Sequence, residues 1–486
     1  MSGHSGKLLR HTVLYAPAQF LPSLVQFATT VLWTHLLDPT AFGLAAFVIA
    51  AQEIAAVFGL TPWSLFVLRY RARYTAADER FRLMDNRMAL CASALQAALA
   101  LVLLAIIGAP ASAALFAATA AYLVTRMLLT HYGEWARADH AIGAYTSGQL
   151  IGSFIGAALS IFAILALGPS PGAALAGQAA GQTLALAVLF RQAGLSLRLG
   201  SFDPAIWAEL RRYGAPIVIS GVVGWGAGNI IRLIVQYGDG AVALGLLSVG
   251  WGLGQRLSSV LAMLLTAAAY PLAVRRFEAG DREGGLAQVS LNGVLLIGLL
   301  APALVGAALL VRPLVTLLIA ENFREVTIVI LPIAMLAASI RFLRLHVSDQ
   351  TMLLTERTEL AMKITVVEML TNSAFCVLGL HLGGLYGAAV GMTVGTVLAS
   401  IAAFSFCFGP LGLPAPAPSV VLRILLATAV MGAAVRSLPE PATALGLATA
   451  VSFGVAVYAA AILLAFRECR VLLTQRLKRG VGAPAL

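Results

Sequence analysis

Charged residues are scarce in this chain of 486 residues. Asp, Glu, Lys and Arg make up 11% of it, against 60% hydrophobic residues and a mean hydropathy of +0.91. Soluble domains carry roughly 25% charged residues, so this composition excludes a protein that covers itself with polar surface. The apolar runs are continuous rather than alternating, which excludes a transmembrane β-barrel. The composition therefore predicts an all-α, polytopic membrane protein.

Cysteines and catalytic motifs are equally sparse. The four cysteines, Cys91, Cys376, Cys407 and Cys469, follow no metal-ligand spacing, so we interpret them as reduced packing residues and expect no metal. The sequence contains no G-x-S-x-G, no H-E-x-x-H and no G-x-x-x-x-G-K-[ST]. We therefore predict no catalytic residues, no cofactor and no enzymatic activity.

What the chain has in abundance is apolar runs of the length, about 20 residues, that a helix needs to cross the hydrocarbon. They predict fourteen spans, numbered here in chain order: 11–36, 42–66, 88–107, 111–130, 142–167, 171–190, 213–237, 241–273, 287–311, 326–354, 360–380, 383–408, 420–438 and 442–466.

Basic residues concentrate in every second connection, which the positive-inside rule assigns to the cytoplasm. Both termini are then cytoplasmic, and the first run, after "KLLRH", is expected to be a retained helix rather than a signal peptide. The net charge of +11 is a topology signal, not an indication of nucleic-acid binding. The other connections, such as "LLDPT" and "GPSPG", are tight turns, which argues against a membrane-bound polymerase or ligase.

Two short stretches read alike: "RYTAADER" at 73–80 and "RFEAGDRE" at 276–283. The offset persists between Pro17 and Pro216 and between Gly43 and Gly245, although compositional bias in short loops is the alternative. A repeat of six spans predicts two parallel lobes related by an axis along the membrane normal. We predict an N-lobe of residues 1–200, a C-lobe of 201–410, and two further helices with a basic tail in 411–486.

Several phrases resemble, in the expected order, those of polysaccharide-export flippases: "THLLDPTAFGLAAF", "RRYGAPIVIS", "GNIIRLIV", "AYPLAVRRFEAGD" and "LGGLYGAAVGMTVG". Over residues 7–410 the chain is similar to Wzx-type flippases of the multidrug/oligosaccharidyl-lipid/polysaccharide (MOP) exporter superfamily. That resemblance implies two six-helix lobes and transport of an undecaprenyl-diphosphate-linked oligosaccharide across the bacterial inner membrane. It also implies a polysaccharide polymerase or export machinery as partner, and leaves the coupling ion open between a proton and sodium.

Polar side chains recur on one face of several spans. Because their spacing follows the helical repeat, we expect these faces to line a cavity between the lobes; interhelical packing is the alternative. The residues predicted to line it are Gln19 and Gln26 in span 1, Asn229 and Gln236 in span 7, and Gln255 in span 8.

Arginines inside spans are the main candidates for substrate binding. They are Arg232, Arg256, Arg341 and Arg344. A charge at the bilayer centre costs about 3 kcal/mol or more, so each needs water, a partner or a function. A guanidinium fork suits a diphosphate or an acidic sugar, while pairing with Glu53 or Glu368 is the alternative. For Arg232, in the outer third of span 7, snorkelling to the membrane surface is a further alternative.

Two carboxylates have separate expected roles. Glu53, in the middle of span 2, is either a proton carrier or the partner of an arginine. Asp349 is expected to pair with His346 three residues earlier.

Rival transport classes make different demands on the sequence. A drug/cation antiporter of the same superfamily would favour a carboxylate-rich interior, and a lipid II flippase would have its cationic site in the first lobe. A major-facilitator transporter would be expected to show a GxxxDRxGR loop, which "RYRARYTAADERFR" is not.

Overall fold

The computed structural model describes residues 20–73, 79–108 and 112–471, and all regular secondary structure in these ranges is helical. This confirms the predicted all-α class. The helices are α1 (20–36), α2 (Pro39–Gly59), α3 (Thr61–Tyr70), α4 (Glu79–Ile106), α5 (Ala113–Ala138), α6 (Ile142–Leu167), α7 (Pro171–Ala193), α8 (Pro204–Glu278), α9 (Arg282–Leu309), α10 (Val311–Leu318), α11 (Glu321–Leu343), α12 (Asp349–Leu354), α13 (Thr358–Phe408), α14 (Pro418–Arg436) and α15 (Ala444–Ala465).

Eleven helical segments of the described residues are long and apolar enough to cross a membrane. Two of these segments contain a break. Gly240 interrupts α8 with φ 79°, and Gly383 and Gly384 interrupt α13, the latter with φ 56°. In α13 the backbones of Gly379 and Gly387 come together across this break, so the chain turns back on itself. Counting each half as one crossing and adding α1, the described helices account for all fourteen predicted spans.

Helix starts in the short connections are capped by side chains. Asp38 Oδ1 accepts a hydrogen bond of 2.8 Å from the Ala41 amide at the start of α2, and Asp281 Oδ1 accepts one of 2.8 Å from Gly284 at the start of α9. Ser170 caps α7 in the same way, with a proline in its first turn. Such caps matter here because lipid offers no partner for unsatisfied backbone amides.

The chain divides into two compact units. The first comprises Met1–Val249 and Met369–Met392, and its core includes Trp63, Phe81 and Trp135.

The second unit comprises Gly250–Glu368 and Thr393–Leu486, with a core around Leu286, Met352 and Ala403. The division into lobes at 200/201 and 410/411 stays a prediction. All four cysteines are free thiols.

Within the first unit, the two glycines that the sequence repeat pairs lie against each other. A Cβ built on Gly43 of α2 would overlap the Ala241 carbonyl oxygen and lie 3.0 Å from the Gly245 amide nitrogen. A Cβ on Gly245 of α8 would overlap the Pro39 carbonyl oxygen and lie 3.1 Å from the Gly43 amide nitrogen. The contact is reciprocal, as expected when equivalent helices cross at the axis of a repeat.

Gly43→Ala or Gly245→Ala should therefore push the starts of α2 and α8 apart. Overpacking of this kind costs about 1–3 kcal/mol, so either variant should unfold at a lower temperature than the wild type. Gly252→Ala, in the same long helix but with nothing within 4 Å of the added Cβ, is the matched control. Thermal unfolding of purified protein measures the difference, and equal melting of all three variants would contradict the close crossing.

Candidate functional site

The first charged cluster of the membrane interior lies between α2 and α8 in the first unit. Trp225 and Arg232 are two helical turns apart on α8 and share a face. Trp225 Nε1 donates a hydrogen bond of 3.3 Å to Glu53 Oε2, and Arg232 Nη1 lies 3.7 Å from the same oxygen. That second distance is too long for a hydrogen bond. The pairing of Arg232 with Glu53 is therefore loose.

Unused hydrogen-bonding capacity remains around Arg232. Its Nε is buried without a partner among the described residues, and so is Oε1 of Gln236, one turn further along α8. The side chain of Glu53 is 41% exposed, against 16% for that of Arg232. Buried polar atoms that lack a protein partner are where water or a ligand binds. The cluster can thus accept a further anionic or polar group.

The second charged cluster lies in the second unit and is closed. Arg344 and Glu368 are completely buried, and Arg344 Nη2 donates to Glu368 Oε2 at 2.7 Å. Arg344 Nη1 donates at 3.2 Å to Asp349 Oδ1, and Arg341 Nε donates at 3.1 Å to Glu368 Oε1. Two guanidinium groups therefore face two carboxylates and the charges compensate, although Arg344 Nε, like Arg232 Nε, is buried without a hydrogen-bond partner among the described residues.

A turn of π-helix, Arg344–Ser348, explains how Asp349 reaches Arg344. The π-helical repeat joins residues five apart, which is the separation of these two. The expected pair of His346 with Asp349 is absent from the described residues, because Asp349 accepts from Arg344 and the His346 ring stacks on Phe342 at 6.0 Å. For Arg344 the geometry favours the pairing alternative over substrate binding.

The other predicted site residues occupy varied environments. Arg341 keeps 21% of its side chain exposed despite its bond to Glu368. Asn229, Gln255 and Arg256 are half-buried on α8, and Gln26 is exposed on α1. Gln19 lies outside the described residues. The assignment of all these residues to a substrate cavity stays a prediction.

A third polar cluster, between α3, α4 and α5, was not predicted from the sequence. Ser64 Oγ lies 2.8 Å from His131 Nδ1, and His131 Nε2 lies 2.9 Å from Asp85 Oδ1. All three residues are buried. The hydropathy spans began at 88 and ended at 130, so Asp85 and His131 were placed in loops, whereas α4 begins at Glu79 and α5 ends at Ala138. The sequence feature that could have indicated this cluster was the presence of an Asp and a His at the ends of apolar runs.

Comparison with known proteins identifies the family. A family model described as polysaccharide biosynthesis protein matches residues 8–277, more than half of the chain. The chain belongs to this family. No curated protein sequence matches the chain significantly.

Solved structures share the fold at low sequence identity. The structure described as lipid II flippase MurJ, inward closed conformation, has a TM-score of 0.72 and 14% identity, covering 94% of this chain and 99% of its own. An inward-facing multidrug resistance MATE family transporter of the MOP superfamily has a TM-score of 0.63 and 16% identity, covering 83% and 98%.

A MOP superfamily transporter from Pyrococcus furiosus, whose title notes a reverse polarity of its binding pocket, has a TM-score of 0.56 and 15% identity, covering 83% and 95%. These likenesses show that the chain shares the fold of MOP superfamily structures, and the family match agrees with the predicted resemblance to polysaccharide-export proteins.

The ion pairs of the second cluster lead to a prediction about stability. Glu368→Gln removes the carboxylate that Arg341 and Arg344 share, which leaves buried positive charge uncompensated. Breaking a buried ion pair in this way costs about 3–5 kcal/mol. Glu53→Gln, the matched control, removes a half-exposed partner of a loose pair and should cost about 1 kcal/mol or less. Thermal unfolding in detergent measures both, and a similar loss for the two variants would show that the second cluster is not sealed.

Proposed function

We propose that this protein is a flippase that moves an undecaprenyl-diphosphate-linked oligosaccharide from the inner to the outer leaflet of the bacterial inner membrane. The family match and the fold support a lipid-linked flippase or transporter of the MOP type. The choice of an anionic lipid headgroup rests on the charged residues of the membrane interior.

The observation that carries the proposal is the state of Arg232. It lies in a membrane-spanning helix. Among the described residues, its one ion pair, with Glu53, is 3.7 Å long and its Nε has no partner. Hydrogen bonds between a guanidinium and a phosphate are short and strong, and the planar fork holds two oxygens at once. A diphosphate would therefore bind Arg232 more strongly than the half-exposed Glu53 carboxylate does.

Transport also requires release of the headgroup, and the loosely paired Glu53 carboxylate assists that release. When the diphosphate leaves, the Glu53 carboxylate is still 3.7 Å from Arg232, so the arginine keeps a nearby counter-charge in the hydrocarbon. Arg256 and Arg341, in other spans, are proposed as further positions for the headgroup, with Arg341 using the exposed part of its side chain beside its bond to Glu368. The lipid tail stays in the bilayer. Rocking of the two lobes would expose the site to each side in turn.

A drug/cation antiporter is the main rival. A cationic substrate would need a carboxylate that is not already engaged. In the described residues, Glu368 and Asp349 accept from arginines and Glu53 accepts from Trp225. A lipid II flippase would carry the same diphosphate with a different sugar and a peptide, and it would be expected to place its cationic site in the first lobe, whereas Arg232, Arg256 and Arg341 lie within the predicted C-lobe.

Arg232→Gln should slow glycan export by about tenfold or more, because it removes a charge-assisted hydrogen bond to the headgroup. Arg232→Lys should recover part of the rate, since it keeps the charge and loses the fork. The measurement is the accumulation of lipid-linked glycan on the cytoplasmic leaflet of cells that carry each variant at equal expression.

Arg211→Gln, at an exposed position of the same helix, is the control and should export normally. Normal export by Arg232→Gln would exclude this arginine from the headgroup site.

The orientation follows from the charge alternation and can be tested by labelling. In a cysteine-free background, cysteines at Arg80 and Ala279 should react with a membrane-impermeant thiol reagent only after the cytoplasmic face is opened. Cysteines at Asp239 and Glu440, which are exposed in connections assigned to the outside, should react in intact spheroplasts. The reverse pattern would place both termini outside.

A further inference from the structure

The buried cluster of Ser64, His131 and Asp85 plays no part in the headgroup site. The same three residue types form the triad of serine hydrolases, in which the serine faces His Nε2 and the aspartate faces Nδ1. Here the order is reversed, with Ser64 on Nδ1 and Asp85 on Nε2. Since Ser64 is also buried, no substrate carbonyl can reach its hydroxyl. The cluster must serve another purpose.

The hydrogen bonds determine where protons can reside. Asp85 Oδ1 accepts from Trp63 Nε1 and lies within hydrogen-bond distance of His131 Nε2, and when Asp85 is ionised Nε2 is the donor of that second bond. His131 Nδ1 then either accepts from the Ser64 hydroxyl or carries a proton and donates to it. The two states differ by one proton, and no heavy atom has to move between them.

Charge balance favours holding that proton. With a neutral His131 the cluster carries one net negative charge, and an unpaired buried charge is costly. Two arginines of the surrounding helices pair with other carboxylates, Arg71 with Asp139 and Arg137 with Glu134, whereas Arg82 donates to the neutral Gly194 carbonyl and keeps its charge.

The remaining groups around the cluster do not supply the missing charge. Tyr132 donates to Asn86 Oδ1, whereas Asp85 Oδ2 is buried with no partner in the described residues. A proton on His131, or on Oδ2 itself, would neutralise the site. The described residues hold no group of three His, Cys, Asp or Glu that could bind a metal ion instead.

We propose that Asp85, His131 and Ser64 form a proton-binding site between α3, α4 and α5, separate from Glu53. Ser64 and the Trp63 indole that donates to Asp85 both lie on α3, a short helix that a break at Leu60 separates from α2. Movement of α3 would withdraw a hydroxyl from His131 and an indole N–H from Asp85, and so change the affinity for the proton. The site's existence does not depend on the proposed glycan substrate; only its use for coupling rests on that function.

Proton binding can be observed directly in purified protein labelled with [15N]histidine. The His131 resonance, assigned by its loss in His131→Gln, should titrate with pH, and a carboxyl or carboxylate infrared band that disappears in Asp85→Asn should change with the same midpoint. Asp85→Asn removes the charge that faces His131 Nε2 and replaces one hydrogen-bonding partner by another, so it should move the His131 midpoint. Ser64→Ala should move the midpoint as well.

Glu53→Gln is the control and should leave the His131 midpoint unchanged. The proposal is overturned if the wild-type His131 and Asp85 signals stay constant over the pH range in which the protein is folded, a result that needs no variant to fold. It is equally overturned if His131 titrates with the same midpoint in Asp85→Asn. Neither measurement involves glycan transport, so failure here leaves the proposed flippase activity to be judged separately.

Discussion

The cost of placing a charge in hydrocarbon is the constraint on which the interior of this protein depends. Each ionisable group inside a span must meet a counter-charge, a hydrogen-bonding partner or water. The structure meets this demand in three ways. Arg344, Glu368 and Asp349 form a sealed network, Arg232 and Glu53 form a loose and partly exposed pair, and His131 and Asp85 form a buried, hydrogen-bonded pair.

These three arrangements suit different tasks. A sealed network contributes to conformational stability and cannot exchange its partners without unfolding locally. A loose pair can exchange one anion for another, which is what a transporter of a diphosphate headgroup needs. A pair that differs between its states by one proton can couple a conformational change to the proton gradient. The division of roles follows from burial and from hydrogen-bond length, not from residue type, because each arrangement combines a basic side chain with a carboxylate.

The sequence predicted the features that depend on local pattern. Hydropathy predicted the fourteen spans, and the repeat paired Gly43 with Gly245 before the structure showed their contact. Features that depend on tertiary structure were not predictable in this way. The π-helical turn redirects Asp349 from His346 to Arg344, and no residue pattern signals such a turn. Asp85 and His131 were assigned to loops because hydropathy ends a span at the first polar residues, whereas their mutual pairing lets α4 and α5 continue past them.

The central claim is that an anionic lipid headgroup, and not a cation, is what the interior arginines carry across the membrane. Proteoliposomes that contain undecaprenyl-diphosphate-linked oligosaccharide test it most directly, with an added glycosidase that reaches only the outer leaflet. The account predicts that the protein makes the inner-leaflet glycan accessible over time, and that the same glycan on an uncharged lipid carrier moves more slowly. If the protein instead transports a hydrophobic cation such as ethidium and leaves the inner-leaflet glycan protected, the account is wrong.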